Sequence, residues 1–225
     1  GNKRRREFTI LRWDQPEAGQ DQDANTGALS DAPPEFMGRQ RFYVYFHRPA
    51  DWAKTVFMVH KYLERDDDRW LYQPALDLVN RISAADKRNS FVGSHFVYED
   101  VSGRQVTLDD HELIETNAQY HIIKSTPKDP KTVEFAYYKT WIHKNSGVVV
   151  QTSYFNDNGK EVRRYNAMSV DEIQGYQTVT KSQMTDLTDN SHTIMQYDNV
   201  TYDIDIDKDI FTQRYLKKAP REYIK

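Results

Sequence analysis

The residues with the clearest chemical potential are His111, Glu112 and Glu115, which lie in the run HELIE. A zinc-protease helix begins with His-Glu and places a second histidine four positions after the first, so that both imidazoles share one helix face. In this chain Glu115 occupies that position, and no later histidine stands at a suitable spacing. We interpret the run as a solvated acidic segment that binds no metal.

Alternating aspartates near the C-terminus resemble the oxygen ligands of a calcium loop. They are Asp203, Asp205, Asp207 and Asp209. A calcium loop of the EF-hand type also needs glycine at its sixth position and glutamate at its twelfth, where this chain has Lys208 and Arg214. Large apolar residues alternate with the aspartates: Tyr202, Ile204 and Ile206. This alternation predicts a half-buried edge strand whose outward charges prevent pairing with other chains.

The remaining sequence offers no pattern for catalysis. The nine glycines form no nucleophile elbow, phosphate-binding loop or dinucleotide fingerprint. The chain has no cysteine, which excludes disulfides, thiol catalysis and cysteine-based metal sites. The basic run at residues 3–6 is interpreted as the solvated start of a strand, because a net charge of −3 gives no further support for nucleic-acid binding. The sequence predicts a protein that is not an enzyme and needs no metal or cofactor.

Period-2 alternation of apolar and polar residues is the main structural signal, and it predicts a mainly β protein. Strands are predicted at residues 6–13, 41–48, 54–63, 69–72, 119–124, 135–143, 148–155, 160–167, 177–187 and 192–200. The run Asn156-Asp157-Asn158-Gly159 predicts a hairpin turn, since Asn and Gly tolerate positive φ. Residues 74–101 are less regular and predict short helices, and residues 209–216 predict a closing helix. The pattern indicates a meander of about ten strands.

The chain is predicted to form a single domain over residues 1–225. Residues 14–38 are rich in Pro, Gly, Asp and Gln, and they predict a long flexible loop. The longest apolar runs, at residues 56–59 and 148–150, are far too short to span a membrane. We expect an export signal to have been removed ahead of Gly1.

Residues 68–100 carry a long motif that resembles the signature of the LolA-like outer-membrane lipoprotein-sorting proteins, a family often associated with resistance–nodulation–division exporters. That signature reads W-L-Y-x-P-A-L, then R-I, then S-F-x-G-S-x-F-x-Y-E-D. The matching residues are Trp70, Leu71, Tyr72, Pro74, Ala75, Leu76, Arg81, Ile82, Ser90, Phe91, Gly93, Ser94, Phe96, Tyr98, Glu99 and Asp100. One departure is His95, where the family usually has Asp, so a role tied to a carboxylate there does not carry over. The resemblance extends more loosely from Phe42 to Leu216.

The resemblance implies a single curved antiparallel sheet that forms a half-open barrel, with a few short helices covering an apolar hollow. It also implies a periplasmic carrier that binds the acyl chains of lipoproteins or free lipid and moves them toward the outer membrane. Its partners would be an inner-membrane exporter of the resistance–nodulation–division type or an outer-membrane acceptor. Two alternatives stay open: a lipid-sensing module similar to RseB that binds a protein partner, and a lipid-binding accessory of an exporter.

The aromatic and apolar residues of the motif are the predicted lipid-contacting or lid residues. This set comprises Trp70, Tyr72, Leu76, Phe91, Phe96 and Tyr98. Arg81 and Asp100 are predicted to hold the lid through polar contacts. A high aromatic content of 13%, with 15 tyrosines, is compatible with this hypothesis, because tyrosine suits half-buried strands and cavity walls alike.

Overall fold

The computed structural model describes residues 3–14, 39–63 and 65–224. The predicted flexible loop falls, apart from Asp14, on residues 15–38 and lies outside the described residues. Within the described part, twelve strands form two antiparallel sheets. The prediction of one continuous sheet is therefore wrong, although the mainly β class is confirmed. The chain divides into two compact units, one formed by residues 1–86 and 205–225 and the other by residues 87–204.

The first unit contains a five-stranded antiparallel sheet in which the strands follow one another in chain order. Its strands are β1 (Glu7–Asp14), β2 (Gln40–Arg48), β3 (Val56–Lys61), β4 (Asp68–Gln73) and β5 (Leu78–Ile82). The alternating runs predicted four of these strands to within a few residues. Strand β5 was missed because its sequence, LVNRI, is exposed at three of five positions and lacks a buried alternating face.

Residues 206–224, which we call the C-terminal segment, cover one face of this sheet through apolar packing. The segment contains a 3₁₀ turn (Lys208–Phe211) and the short helix α1 (Gln213–Lys217), which confirms the predicted closing helix. Ile210, Phe211 and Leu216 are at most 2% exposed and pack against Tyr43 and Met58. The Tyr43 hydroxyl donates to the Tyr215 carbonyl oxygen (2.7 Å). The core of this unit thus depends on the last residues of the chain.

The alternating aspartates form no strand, and that prediction was wrong. Asp203 has a φ of +55°, in the left-handed region that interrupts extended backbone. Asp207 instead caps the following 3₁₀ turn, because its carboxylate accepts a hydrogen bond from the Asp209 N–H (2.9 Å). Turn formation therefore overrides the period-2 pattern here.

The second unit contains a seven-stranded antiparallel sheet in the order β12-β11-β10-β9-β8-β7-β6. Its strands are β6 (Asp109–Thr116), β7 (Tyr120–Pro127), β8 (Tyr137–His143), β9 (Val149–Phe155), β10 (Glu161–Ile173), β11 (Tyr176–Asp186) and β12 (Ser191–Gln196). The predicted hairpin turn is confirmed between β9 and β10, where Gly159 has a φ of +71°. Strand β6 includes the HELIE run, whose side chains are exposed as expected, but the strand itself was not predicted.

Residues 87–104, which we call the covering segment, precede the seven-stranded sheet and contain the less regular part of the motif. They form a 3₁₀ turn (Phe91–Gly93) and the short helix Tyr98–Ser102, which agrees with the prediction of short helices. Among the described residues, no helix has the length and apolar character needed to cross a membrane.

Candidate lipid-binding face of the seven-stranded sheet

The cross-strand register defines which side chains share a face of the seven-stranded sheet, because directly opposed residues point to the same side. One row crosses all seven strands without interruption. It consists of His111, Ser125, Tyr138, Tyr154, Arg163, Asp186 and Ser191, and we call it the anchor row. Two residues along each strand, a second row lies on the same face. It consists of Leu113, Ile123, Thr140, Thr152, Tyr165, Met184 and Thr193, and we call it the apolar row.

The covering segment folds back on itself before it reaches the sheet. The Phe91 N–H donates to the Phe96 carbonyl oxygen (2.7 Å), and Ser90 and Val97 form an isolated β-bridge. The Phe91 and Tyr98 rings meet edge to face with centroids 5.6 Å apart. Phe91 and Phe96 are only 2% and 5% exposed, so these predicted lid residues lie in the interior of the protein.

His95 attaches the covering segment to the far edge strand of the sheet. Its Nδ1 lies 2.7 Å from Thr193 Oγ1 and its Nε2 lies 2.6 Å from Ser191 Oγ. Its backbone N–H also donates to Thr193 Oγ1 (3.1 Å). Because the Ser191 hydroxyl donates to Asp189, His95 Nε2–H donates to Ser191 Oγ and the Thr193 hydroxyl donates to His95 Nδ1. His95 therefore makes a contact that does not need the carboxylate found in the family motif.

Arg163 of the anchor row forms the second attachment. Its Nη2 donates to the His95 carbonyl oxygen (3.0 Å) and also forms an ion pair with Asp100. The same carboxylate oxygen of Asp100 also accepts a hydrogen bond from the Val97 N–H (2.7 Å), at the start of the short helix. The Arg163 guanidinium also lies over the Tyr154 ring, 5.0 Å from its centroid. Arg163 thus joins the sheet to two points of the covering segment: His95, which precedes the short helix, and Asp100, which lies within it.

Glu99 lies at the centre of a buried ionic cluster. Its side chain is 2% exposed and forms ion pairs with Lys87 (3.3 Å), Arg88 (3.1 Å) and Arg104 (3.2 Å). Burial by itself would raise the pKa of the Glu99 carboxyl, but Arg104 and the two other cations lower it overall. Glu99 is therefore ionised in the folded protein at neutral pH. Removing its charge would take away the carboxylate that these three cations share in a buried site.

Two further acidic residues complete this cluster. Arg104 forms a two-pronged contact with Asp109, with Nη2–Oδ1 and Nε–Oδ2 distances of 2.8 Å, and the Tyr138 hydroxyl donates to the same carboxylate (2.8 Å). Arg88 Nε donates to Glu134 Oε2 (2.9 Å). Burial would raise the pKa of Glu134, but its bonds with Arg88 lower it overall. The covering segment is held over the anchor row by balanced charges.

The apolar row offers a different surface from the anchor row beside it. Leu113 is 61% exposed, Ile123 and Tyr165 are half-buried, and Met184 is 2% exposed. At about 4.8 Å between neighbouring strands, a row across seven strands extends about 29 Å. Its three threonines each add a methyl group. This row is the part of the face that could contact a hydrocarbon chain.

The residues predicted from the motif are divided between the two units. Trp70 and Tyr72 lie on β4 and pack against the core of the five-stranded unit, whereas Leu76 is 68% exposed on the adjacent 3₁₀ turn. Phe91, Phe96 and Tyr98 belong to the covering segment. The predicted polar pair makes separate contacts: Arg81 forms an ion pair with Asp68 in the first unit, and Asp100 does so with Arg163 in the second.

Sequence reasoning missed the residues that hold the covering segment. Glu99 was noted only as a motif match, and Arg104, Asp109, Glu134 and Arg163 were not singled out. The Asp100–Arg163 and His95–Ser191 contacts join residues 63 and 96 positions apart. Glu99 stands next to Asp100 in the motif, and neither its buried ionic role nor its partners have a local signal in the sequence.

The second unit has a depression between β10, β11 and the chain after β12. Its lining residues are Ser169, Asp171, Thr180, Lys181, Gln196, Tyr197, Asp198 and Asn199. Its walls are mostly polar. A polar lining does not favour hydrocarbon, so this depression does not correspond to the predicted apolar hollow.

Comparisons with known proteins support the fold. A sequence profile described as "uncharacterized protein"-like matches residues 38–218. A DUF1329 family protein from Desulfovibrio piger is 25% identical with a TM-score of 0.77, over 94% of this chain and 83% of that chain. A domain designated as an outer membrane lipoprotein-sorting protein from Vibrio parahaemolyticus is 24% identical with a TM-score of 0.73, over 81% and 79%.

A LolA superfamily protein from Nitrosomonas europaea is 17% identical with a TM-score of 0.59, over 79% of this chain and 81% of that chain. A comparison with curated proteins gave no significant match. The resemblance found in the motif is confirmed at the level of the fold. The chain belongs to the family that the profile at residues 38–218 defines, and its fold is that of the LolA-like proteins.

Proposed function

We propose that this protein is a periplasmic lipid carrier that binds an acyl chain along the apolar row, with the covering segment as its lid. The observation that carries the proposal is the division of one sheet face into two rows. Arg163 of the anchor row and Asp109 at the start of β6 hold the covering segment through polar contacts. The adjacent apolar row presents Leu113, Ile123 and Tyr165 at least partly to solvent.

Hydrocarbon burial supplies enough energy for carriage without a covalent bond. Each buried CH₂ gains about 0.8 kcal/mol, so a chain of about fifteen methylenes has an upper bound near 12 kcal/mol before association and ordering are subtracted. The proposed lid combines polar attachments to the sheet with the buried apolar side chains of Phe91 and Phe96. We infer that the seven-stranded sheet curves around the ligand as part of a half-open barrel, and that the whole chain acts as one LolA-like domain.

The lipid would come from lipoproteins or from free lipid, and it would move toward the outer membrane. A lipoprotein-sorting designation applies to the Vibrio parahaemolyticus domain, and the shared fold supports extending it to this chain as a hypothesis. An exporter or an outer-membrane acceptor is the expected partner. That Trp70, Tyr72 and Leu76 contact lipid stays a prediction, as does the lid role of Phe91, Phe96 and Tyr98.

The first test compares Leu113→Asp with Ile194→Asp in binding of a fluorescent fatty acid. Both residues are exposed, at 61% and 46%, and lie on the two edge strands. Leu113 belongs to the apolar row, whereas Ile194 follows Thr193 and therefore points to the opposite face. We expect Leu113→Asp to weaken binding about tenfold, as loss of one side chain's apolar contact implies, and Ile194→Asp to leave it unchanged. Equal affinities in the two variants would exclude the apolar row as the binding site.

Mass spectrometry of lipid co-purified with the protein would separate the remaining alternatives. A triacylated lipoprotein supports sorting, and a free lipid supports an exporter accessory. A protein that purifies empty and binds no fatty acid, but captures a protein partner stably, would instead support a sensing module.

A further inference from the structure

The opposite face of the seven-stranded sheet carries a row of basic residues. Alternation along each strand places it between the anchor row and the apolar row, but on the other side of the sheet. It consists of Glu112, Lys124, Lys139, Ser153, Arg164, Thr185 and His192, which oppose one another in order across all seven strands, and we call it the basic row. Three of the five interior strands thus contribute a Lys or Arg: Lys124 on β7, Lys139 on β8 and Arg164 on β10.

Two lysines of this row stand directly opposite each other on β7 and β8. Like charges in directly opposed positions destabilise a sheet, whereas opposite charges stabilise it. Lys124 and Lys139 are nevertheless paired in this way. A face that served only to keep the protein in solution would be more stable with a carboxylate at one of these positions.

Aromatic rings support the two ammonium groups. Lys124 Nζ lies 5.0 Å from the centroid of the Tyr137 ring, and Lys139 Nζ lies 5.5 Å from that of Phe155. The two rings stack on each other, with centroids 4.8 Å apart and planes inclined by 10°. The rings hold the lysine stems against the sheet, and both lysines are half-buried, so each keeps part of its surface exposed to solvent.

Acidic residues neutralise only part of this row. Arg164 pairs with Glu161 (Nε–Oε1, 2.6 Å). In the part of the chain that the structure describes, neither Lys124 nor Lys139 lies within ion-pair distance of a carboxylate, although Glu112 opposes Lys124 in the register. Two uncompensated positive charges therefore lie together on a protein whose net charge is −3.

We propose that the basic row is a docking surface for an anionic phospholipid membrane. The lysine ammonium is a compact charge that binds phosphate without a fixed geometry. Tyrosine and other aromatic rings are favoured at the level of lipid headgroups. The charges extend along a row of strands instead of converging in a pocket, which fits a planar array of phosphates. This inference does not depend on acyl binding by the other face.

The attraction is weak and reversible. One basic residue near an anionic membrane changes affinity about fivefold, and added salt screens it. A carrier that must leave one membrane for another requires binding of this strength.

The test measures co-sedimentation of the full chain with vesicles of phosphatidylglycerol and phosphatidylcholine, and with vesicles of phosphatidylcholine alone. The variant is Lys124→Gln with Lys139→Gln, and its matched control is Lys131→Gln with Lys218→Gln. Both control residues are exposed and lie outside the basic row. Each double variant removes two lysines, so the change in net charge is the same. A third variant, Tyr137→Ala, keeps both lysines but removes one supporting ring.

We expect the wild-type protein to bind phosphatidylglycerol vesicles at low salt and to release them at high salt. The Lys124→Gln, Lys139→Gln protein should bind at least tenfold more weakly, and the control protein should stay within about twofold of the wild type. Tyr137→Ala should weaken binding less than loss of both lysines.

Equal loss in the control would show that only net charge matters and would overturn the proposal. Binding to polyglutamate but not to vesicles would also overturn it, in favour of an acidic protein partner. Fatty-acid binding should be unchanged in all these variants, which keeps this test separate from that of the carrier function.

Discussion

Each sheet is covered on one face by a short segment, and different forces hold the two segments in place. The C-terminal segment is held on the five-stranded sheet by Ile210, Phe211 and Leu216, all at most 2% exposed. The covering segment is joined to the seven-stranded sheet by the Asp100–Arg163 and Arg104–Asp109 ion pairs, and it buries Phe91 and Phe96 as well. Both segments contain only one or two helical turns, too short to be stable alone. Tertiary contacts therefore determine the behaviour of both.

The difference teaches which segment is suited to move. Apolar packing is lost when a segment detaches, because its side chains enter water. Charged groups recover hydration when they separate, so the net energy of an ionic attachment is smaller than its contacts suggest. The C-terminal segment is thus a fixed part of its core. The covering segment also buries Phe91 and Phe96, but its additional charged attachments make it the better candidate for a lid. Three experiments can test this distinction.

The largest effect is expected from Glu99→Gln. The substitution removes the buried carboxylate that Lys87, Arg88 and Arg104 share. Arg88 keeps its pair with Glu134, and Arg104 keeps its pair with Asp109. We expect a loss of about 4 kcal/mol in the free energy of unfolding, measured by chemical denaturation. The matched control is Asp110→Asn. Asp110 forms an ion pair with Lys128, and its side chain is 79% exposed, so we expect a loss of at most about 1 kcal/mol. A similar small loss in both variants would mean that charges do not hold the covering segment.

A somewhat smaller effect is expected from Leu216→Ala in the C-terminal segment. Leu216 is 1% exposed, and truncating it leaves a cavity against the five-stranded sheet. We expect the free energy of unfolding to fall by about 3 kcal/mol. In the matched variant Leu76→Ala, at a position 68% exposed, it should change by less than about 0.5 kcal/mol. If Leu216→Ala were as mild as Leu76→Ala, the C-terminal segment would not be an integral part of the core.

The smallest effect, and the sharpest comparison, comes from pH. Glu99 and Glu134 have folded pKa values below their ordinary value of 4.5. Their contribution to the free energy of unfolding is complete above pH 4.5, and it is lost as the pH falls through the lowered pKa values. Burial lowers the pKa of His60 below its ordinary 6.5, and its Nε2–H donates to the Phe211 carbonyl oxygen (2.6 Å). Neutral His60 makes its full contribution to the free energy of unfolding above pH 6.5, and this contribution is lost as the pH falls below 6.5.

The C-terminal segment should therefore weaken first on acidification, and the covering segment only below pH 4.5. Hydrogen exchange of the amides of residues 97–102 and 213–217, corrected for the intrinsic pH dependence of exchange, would measure the two windows separately. A single transition common to both segments would contradict the assignment of separate pH windows to His60 and to the two glutamates. A His60→Asn variant should lose the step just below pH 6.5 and keep the step below pH 4.5.

Much of the local structure could be predicted from the sequence. The run RFYVYFHR is rich in aromatic residues and predicts β2. Asn156 to Gly159 predict the turn between β9 and β10 because Asn and Gly tolerate positive φ. The motif at residues 68–100 predicted the LolA-like fold. Strands β5 and β6 were missed because their exposed residues carry no apolar alternation. The aspartate ladder failed because Asp203 turns the chain where an alternating pattern predicts extension.

By itself, the sequence determined the strand class, the turns and the family, because these depend on side-chain periodicity and short motifs that act over a few residues. Only the tertiary structure decided that the strands form two sheets, that Asp100 pairs with Arg163, and that Lys124 opposes Lys139. Alternation tells which residues share a face of one strand, but not which strands become neighbours or in what register. Rows of residues across a sheet, which carry both proposed activities of this protein, exist only once that register is set.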